Sequence, residues 1–245
     1  MKSFIKVVVA LFLVMSLFSP TAFAKSDQAK ESLVALGDSI PFGYNLGKTN
    51  QNPARTAYPF VIGDSADLRV RNLGVPGWQT TQLLEALRTE QKYRQAVKQS
   101  DYIVLTIGNN DLLAILRDAQ IESGGDPVLF QQILQSKLSS SKIFVNISAI
   151  IQEIRSLTDA PIVMYNVYNP FQVNDPLHFV AANILPQINF NFSAIAGVYP
   201  GVVVADAYSA FGNNQAQYVI VNDIHPTIEG QIVLAQLGLS ALGLQ

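Results

Sequence analysis

The sequence predicts an α/β domain: a three-layer α/β/α sandwich around a five-stranded parallel sheet. Five short runs rich in Val, Ile and Leu recur at residues 32–36, 68–73, 102–107, 162–167 and 202–205. They are apolar on successive residues rather than on alternate ones, as in strands covered on both faces. Segments with helical spacing separate them, which leaves room for right-handed crossover helices between parallel strands.

The first 24 residues stand apart from this pattern. Lys2 and Lys6 precede an apolar run over 7–18, and Ala22-Phe23-Ala24 fits a small-x-small cleavage site before Lys25. A secretory signal peptide is expected. The alternative, an uncleaved anchor, is disfavoured because the run is short for a membrane span. Residues 25–245 are then one domain of 221 residues, enough for a substantial core. The leader carries two lysines and no acid, so its removal moves the net charge from −2 to −4.

The strand at 32–36 stops at Gly37-Asp38-Ser39. Residues 58–62 contain Pro59 and read as a short helix leading to a second copy of the tripeptide, Gly63-Asp64-Ser65. After the strand at 68–73, Thr81 is placed to cap a helix running to Lys98. Leu83, Leu84, Leu87 and Val97 face inward there, and Lys92, Arg94 and Lys98 suit the dipole at its end. Beyond the strand at 102–107, residues 121–127 and 139–141 look like breaks between helices. Ile143, Phe144, Ile147, Ile150, Ile151 and Ile154 recur at helical spacing. Asp175-Pro176 reads as an N-cap with Pro at N1. The chain closes with a helix from Thr227 to Leu242, with Ile228, Ile232, Ala235 and Leu239 on one stripe. No linker or repeat divides the domain.

Composition removes several function classes. There is no cysteine, hence no disulfide, thiol nucleophile or thiolate metal site. There are two histidines, His178 and His225, too few for a three-histidine zinc centre. No basic cluster suggests nucleic acid as a partner. No second run of about 18 apolar residues predicts stable membrane insertion of the mature chain.

In open parallel sheets, ligands bind at the carboxyl ends of the strands. Ser39 follows a strand. Ser65 precedes one and reads as a turn residue. Two other strand ends carry suggestive groups: Asn72-Leu73-Gly74-Val75-Pro76-Gly77 and Gly108-Asn109-Asn110-Asp111. Asn222-Asp223-Ile224-His225-Pro226-Thr227 lies before the last helix. A serine, an imidazole with an acid nearby and neutral N–H donors are the parts of acyl transfer.

These four blocks, in this order from residue 37 to 226, resemble the SGNH (GDSL-type) hydrolases, a family of bacterial esterases and lipases. The resemblance implies a flavodoxin-like five-stranded sheet and no metal or organic cofactor. It implies Ser39 as nucleophile and His225 as base. The Ser39 N–H, the Gly74 N–H and the Asn110 side chain would form the oxyanion hole. Asn109 fills the variable position of its block, and Asp38 is read as a brace for the turn.

One departure stands out. The family pattern is Asp-x-x-His, whereas Asn222 occupies the third position before His225 and Asp223 the second. Asp223 is favoured as the orienting acid, with a backbone carbonyl as the alternative. A literal Asp-x-x-His occurs at Asp175–His178, where the Asp also suits a helix cap. Trp78 is placed either to line an acyl pocket or to pack, and the polar loop at 45–55 borders the cleft.

The expected activity is that of a serine hydrolase of lipid, lysophospholipid or small acyl esters, secreted or held at the cell wall. A polysaccharide O-acetyl esterase is the alternative within the fold, and a catalytically silent binding protein is the alternative outside catalysis. Oligomeric state is not legible.

Overall fold

The structure, a computed structural model, describes residues 30–244. The leader expected at 1–24 lies outside the described residues. Strands β1 (Ser32–Gly37), β2 (Arg69–Asn72), β3 (Tyr102–Thr106), β4 (Ile162–Tyr165) and β5 (Val202–Ala205) form one sheet in the order β2-β1-β3-β4-β5. Every neighbouring pair is parallel. The chain leaves β1 toward β2 on one side and returns to β3 on the other. That reversal opens a crevice between the carboxyl ends of β1 and β3.

Eleven helices complete the described residues: α1 (Ser39–Phe42), α2 (Tyr58–Ser65), α3 (Thr80–Thr89), α4 (Gln91–Lys98), α5 (Asn109–Ser123), α6 (Pro127–Ser140), α7 (Ile143–Arg155), α8 (Pro176–Val198), α9 (Ala207–Phe211), α10 (Gln215–Tyr218) and α11 (Ile228–Leu242). Alternate residues of β1 feed two cores, because successive side chains of a strand point to opposite faces. Val34 and Leu36 pack with Leu83, Leu87, Ile147, Ile150 and Phe192 from α3, α7 and α8. Leu33 and Ala35 pack with Tyr58, Ile62, Phe211 and Leu234 from α2, α9 and α11.

Continuous burial holds for the central strands and fails at the edges. All of β1 and β4 is buried. In β2, Arg69 and Arg71 are exposed, and in β5 so is Val203. An edge strand has a neighbour on one side only, and the helical layers do not cover it fully.

Two helices depart from expectation. The segment after residue 80 is two helices, because Glu90 takes an extended backbone (φ −93°, ψ 117°). Its cap is Gln79, in a reciprocal capping box with Gln82, not Thr81. Thr227 does cap α11, accepting the Gly230 N–H at 3.1 Å. Yet the buried face of α11 is Gly230, Gln231, Leu234, Ala235 and Gly238, while Ile228 and Ile232 are exposed. The helix approaches the sheet too closely for a large stripe: a Cβ on Gly238 would lie 2.2 Å from the Tyr165 hydroxyl.

Candidate active site

The turn after β1 is built on a close approach. Gly37 has φ +141°, and a Cβ there would sit 1.9 Å from the Thr106 carbonyl oxygen of β3. Only glycine fits. Asp38 is fully buried. Its Oδ1 accepts the Ile40 N–H and its Oδ2 accepts from Asn109 Nδ2, both at 2.9 Å. Burial pushes this carboxyl up to about 7, against the pull of the Asn109 and Ile40 hydrogen bonds and helped by the nearby Asp111 charge. Ser39 then opens α1, itself buried. Gln231 braces the turn from α11: its Nε2 donates to Ile40 O at 3.1 Å and its Oε1 accepts the Tyr58 N–H at 2.8 Å.

His225 meets Ser39 from the far end of the sequence. Its Nε2 lies 2.9 Å from Ser39 Oγ, and its Nδ1 lies 2.6 Å from Asp223 Oδ1. These distances suit an imidazole whose Nδ1–H donates to the carboxylate while Nε2 accepts the serine hydroxyl. The short Asp-x-His spacing works because the loop is a tight turn. Asn222 is left-handed (φ 60°). The Asp223 N–H returns to Ile220 O at 3.0 Å. Asp223 Oδ1 also accepts the Ile224 N–H at 2.6 Å and the His225 N–H at 3.3 Å. Asn45 Nδ2 holds the other oxygen at 2.7 Å. Asn45 (φ 65°) is in turn bonded to Asn50 at 2.9 and 2.8 Å. Partial burial acts to raise the Asp223 carboxyl. The Asn45 and Ile224 hydrogen bonds and the adjoining imidazole outweigh it and hold the carboxyl below the usual range. The Tyr44 ring flanks the imidazole at 5.0 Å.

The third side of the site comes from the loop after β2 and the start of α5. Asn110 Nδ2 donates to Trp78 O at 2.9 Å, and its second amide hydrogen has no partner among the described residues. Asp111 clamps the same loop, accepting the Thr80 N–H at 2.9 Å and the Thr80 hydroxyl at 2.7 Å. The expected Gly74 donor is a correction. Gly74 is buried, and its N–H donates to Asn72 Oδ1 at 3.0 Å. A Cβ there would meet Asp38 O at 2.8 Å. Gly74 therefore lets two backbones pass and presents no free N–H. Gly77, one residue before the Trp78 that Asn110 binds, is exposed, has φ +83° and faces open space. Neither the Gly77 N–H nor the Ser39 N–H has a hydrogen-bond partner among the described residues.

The other candidates lie apart. Ser65 is the exposed last residue of α2, ahead of β2 and so at the amino ends of the strands. His178 is buried early in α8, with Nδ1 2.8 Å from Phe171 O. Asp175 caps that helix through the Leu177 N–H at 2.8 Å. Trp78 stacks on Tyr93 at 5.5 Å. Sequence reasoning missed Asn109 as the partner of Asp38, Asn45 as the partner of Asp223, and Gln231. The Asn45 and Asn109 contacts join residues 178 and 71 apart in the chain and leave no local pattern.

The model of the GDSL-like lipase/acylhydrolase family matches residues 35–232. An uncharacterized protein, YpmR of Bacillus subtilis (strain 168), is 32% identical over 158 residues, covering 60% of this chain; the chain spans only 56% of that relative's length. The spore germination lipase LipC of Bacillus licheniformis is 26% identical over 208 residues, 82% of this chain and 92% of LipC. Among solved structures, phospholipase A1 from Streptomyces albidoflavus NA297 superposes with a TM-score of 0.71 at 17% identity, over 87% of this chain and all of that one, which shows the shared fold.

Proposed function

This chain belongs to the GDSL-like lipase/acylhydrolase family, and from that premise we propose that it hydrolyses carboxylic esters through an acyl-enzyme on Ser39. The supporting observation is the unbroken line from Ser39 Oγ to His225 Nε2 (2.9 Å) and from His225 Nδ1 to Asp223 Oδ1 (2.6 Å). His225 takes the Ser39 proton as Oγ attacks the carbonyl carbon. The developing oxyanion is met by the Ser39 N–H, the Gly77 N–H in place of that of Gly74, and the second amide hydrogen of Asn110. The C–O bond to the alcohol breaks, and the alcohol leaves with the proton held by His225. Water then attacks the acyl-enzyme, gives its proton to His225, and releases the acid as Oγ recovers that proton.

The silent-scaffold alternative rested on Asn222, and Asp223 supplies the contact that Asn222 would have made. We propose in addition that residues 1–24 are a cleaved export signal and that 25–245 act outside the cell. An amino terminus at Lys25 on protein recovered from culture medium is the expected result. The catalytic reading is tested by fluorophosphonate labelling and p-nitrophenyl ester hydrolysis in wild type, Ser39→Ala and Ser65→Ala. Labelling and turnover lost in Ser39→Ala alone support it, and labelling that persists in Ser39→Ala ends it.

A further inference from the structure

Beside Ser39 lies a cavity that the mechanism above does not use. Its non-atom space is about 660 Å³, a figure that includes open solvent at its mouth. Ile40, Asn109 and Ile224 line it, each the chain neighbour of Ser39, Asn110 or His225. Leu116 of α5, Leu134 of α6 and Ala181 of α8 line it as well. We infer that this cavity is the acyl-chain site and that the substrates are esters of medium or longer acyl chains rather than acetates. The inference rests on the ester-hydrolase reading above.

The chemistry of the wall selects the occupant. No charged side chain lines the cavity. Its two polar side chains are already hydrogen-bonded within the protein: Asn109 to Asp38 at 2.9 Å, and the Tyr168 hydroxyl to Ile224 O at 2.7 Å. Beyond the remaining amide atoms of Asn109, a sugar or a phosphate headgroup would meet only apolar side chains and the Tyr168 hydroxyl, and a buried polar group without partners is strongly disfavoured. An alkyl chain needs none.

The course of the reaction selects which alkyl chain. The acyl part stays bonded to Ser39 through the intermediate and suits an enclosed pocket. The alcohol must depart past His225, where Tyr44 and the exposed Asn45 border open solvent. Length follows from the helix: Asn109 to Leu116 spans about 10 Å along α5, far more than an acetyl group fills. Helix α6 serves this wall. It packs along α5 after the left-handed pair Gly124-Gly125, and Leu134 is its buried residue.

The test is a p-nitrophenyl ester series from acetate to palmitate, beside a series of alkyl acetates of growing alcohol length. Wild-type kcat/KM should rise about fourfold per added methylene until the pocket is full, with the alkyl acetates flat. Ala181→Phe places a ring in the cavity and should lower the octanoate-to-acetate ratio of kcat/KM by about tenfold or more. If circular dichroism shows that variant unfolded, Val180→Trp, half-buried on the same wall, replaces it. A flat acyl series, a ratio unchanged by the filled cavity, or a rise with the alcohol instead overturns the inference while ester hydrolysis stands. Absence of fluorophosphonate labelling at Ser39 in wild type removes the acyl-enzyme reading, and this pocket assignment with it.

Discussion

Gly37-Asp38-Ser39 and Gly63-Asp64-Ser65 are the same tripeptide in two settings. The first follows β1, at the carboxyl edge of the sheet where the strand order reverses. The second ends α2 and precedes β2, at the amino edge. Gly37 is required by a backbone carbonyl, since a Cβ would lie 1.9 Å from Thr106 O. Gly63 is a helical residue whose added Cβ would meet the Val70 side chain at 2.2 Å. Asp38 is fully buried and Asp64 exposed; Ser39 is buried against His225 and Ser65 exposed. Identity of three residues therefore carries little chemistry. What sets Ser39 apart from Ser65 is the strand end that holds it and the distant groups which that edge of the sheet collects.

The sharpest way to break this contrast is to remove each hydroxyl in turn. Ser39→Ala should lower kcat by about ten-thousandfold or more. Ser65→Ala should keep full turnover, with stability changed by no more than about 0.5 kcal/mol. Steady-state assays on one ester settle it, and equal losses in both variants would abolish the distinction. Next in size is Asn110→Ala. The donor it removes is worth about 2.7–4 kcal/mol of barrier, a hundredfold to a thousandfold in kcat. An unchanged kcat would show that the backbone N–H groups hold the oxyanion alone.

The aspartates separate by pH rather than by turnover. Asp38 is held up to about 7, against 3.8 for the free side chain. Between those values the native protein keeps a proton that the unfolded chain has lost. Stability therefore falls as pH rises from about 4 to about 7 and levels off above. Tyr58 and Tyr168 also feel the Asp38 charge, and Asp111, itself raised by burial, contributes with the same sign. Asp38→Asn should flatten most of that slope in denaturant titrations across this pH range, whereas Asp64→Asn should leave it intact. A wild-type slope surviving in Asp38→Asn would assign it elsewhere.

How far the sequence could be read follows the range of each interaction. The β5 boundaries at 202 and 205 and the Asp175 cap agree with the structure because local patterning sets them. The break at Glu90 and the small-residue face of α11 were illegible. They depend on how closely a helix approaches its neighbours, which helical periodicity does not encode. At the site, Ser39, His225 and Asp223 were legible as strand-end and pre-helix motifs, and the structure brings them together, while Asn110 stands in the first turn of α5, bonded to Trp78 O. The resemblance places the donor at Gly74, and no local pattern separates it from Gly77, a glycine of the same loop. Only three dimensions show that Asn72 occupies the Gly74 N–H while the Gly77 N–H has no partner among the described residues. The apolar cavity was invisible because α5, α6 and α8 contribute to it from far-apart stretches.

The smallest effect concerns the base that Ser65 lacks. Asp223 stands two residues before His225, so one oxygen is used within its own turn, on the Ile224 and His225 N–H groups and the imidazole. Its other oxygen depends on Asn45, from a loop 178 residues away. If that second anchor fixes the carboxylate, Asn45→Ala should lower kcat about three- to tenfold with KM unchanged, the worth of one hydrogen bond at an exposed site. Asn50→Ala, one bond further out, should cost less, and Asn45→Asp, which sets a like charge against Asp223, should cost more. An Asn45→Ala enzyme with wild-type kcat would mean that the turn alone orients Asp223. The short Asp-x-His spacing would then be self-sufficient, and the loop at 45–55 would have no part in the contrast between the two serines.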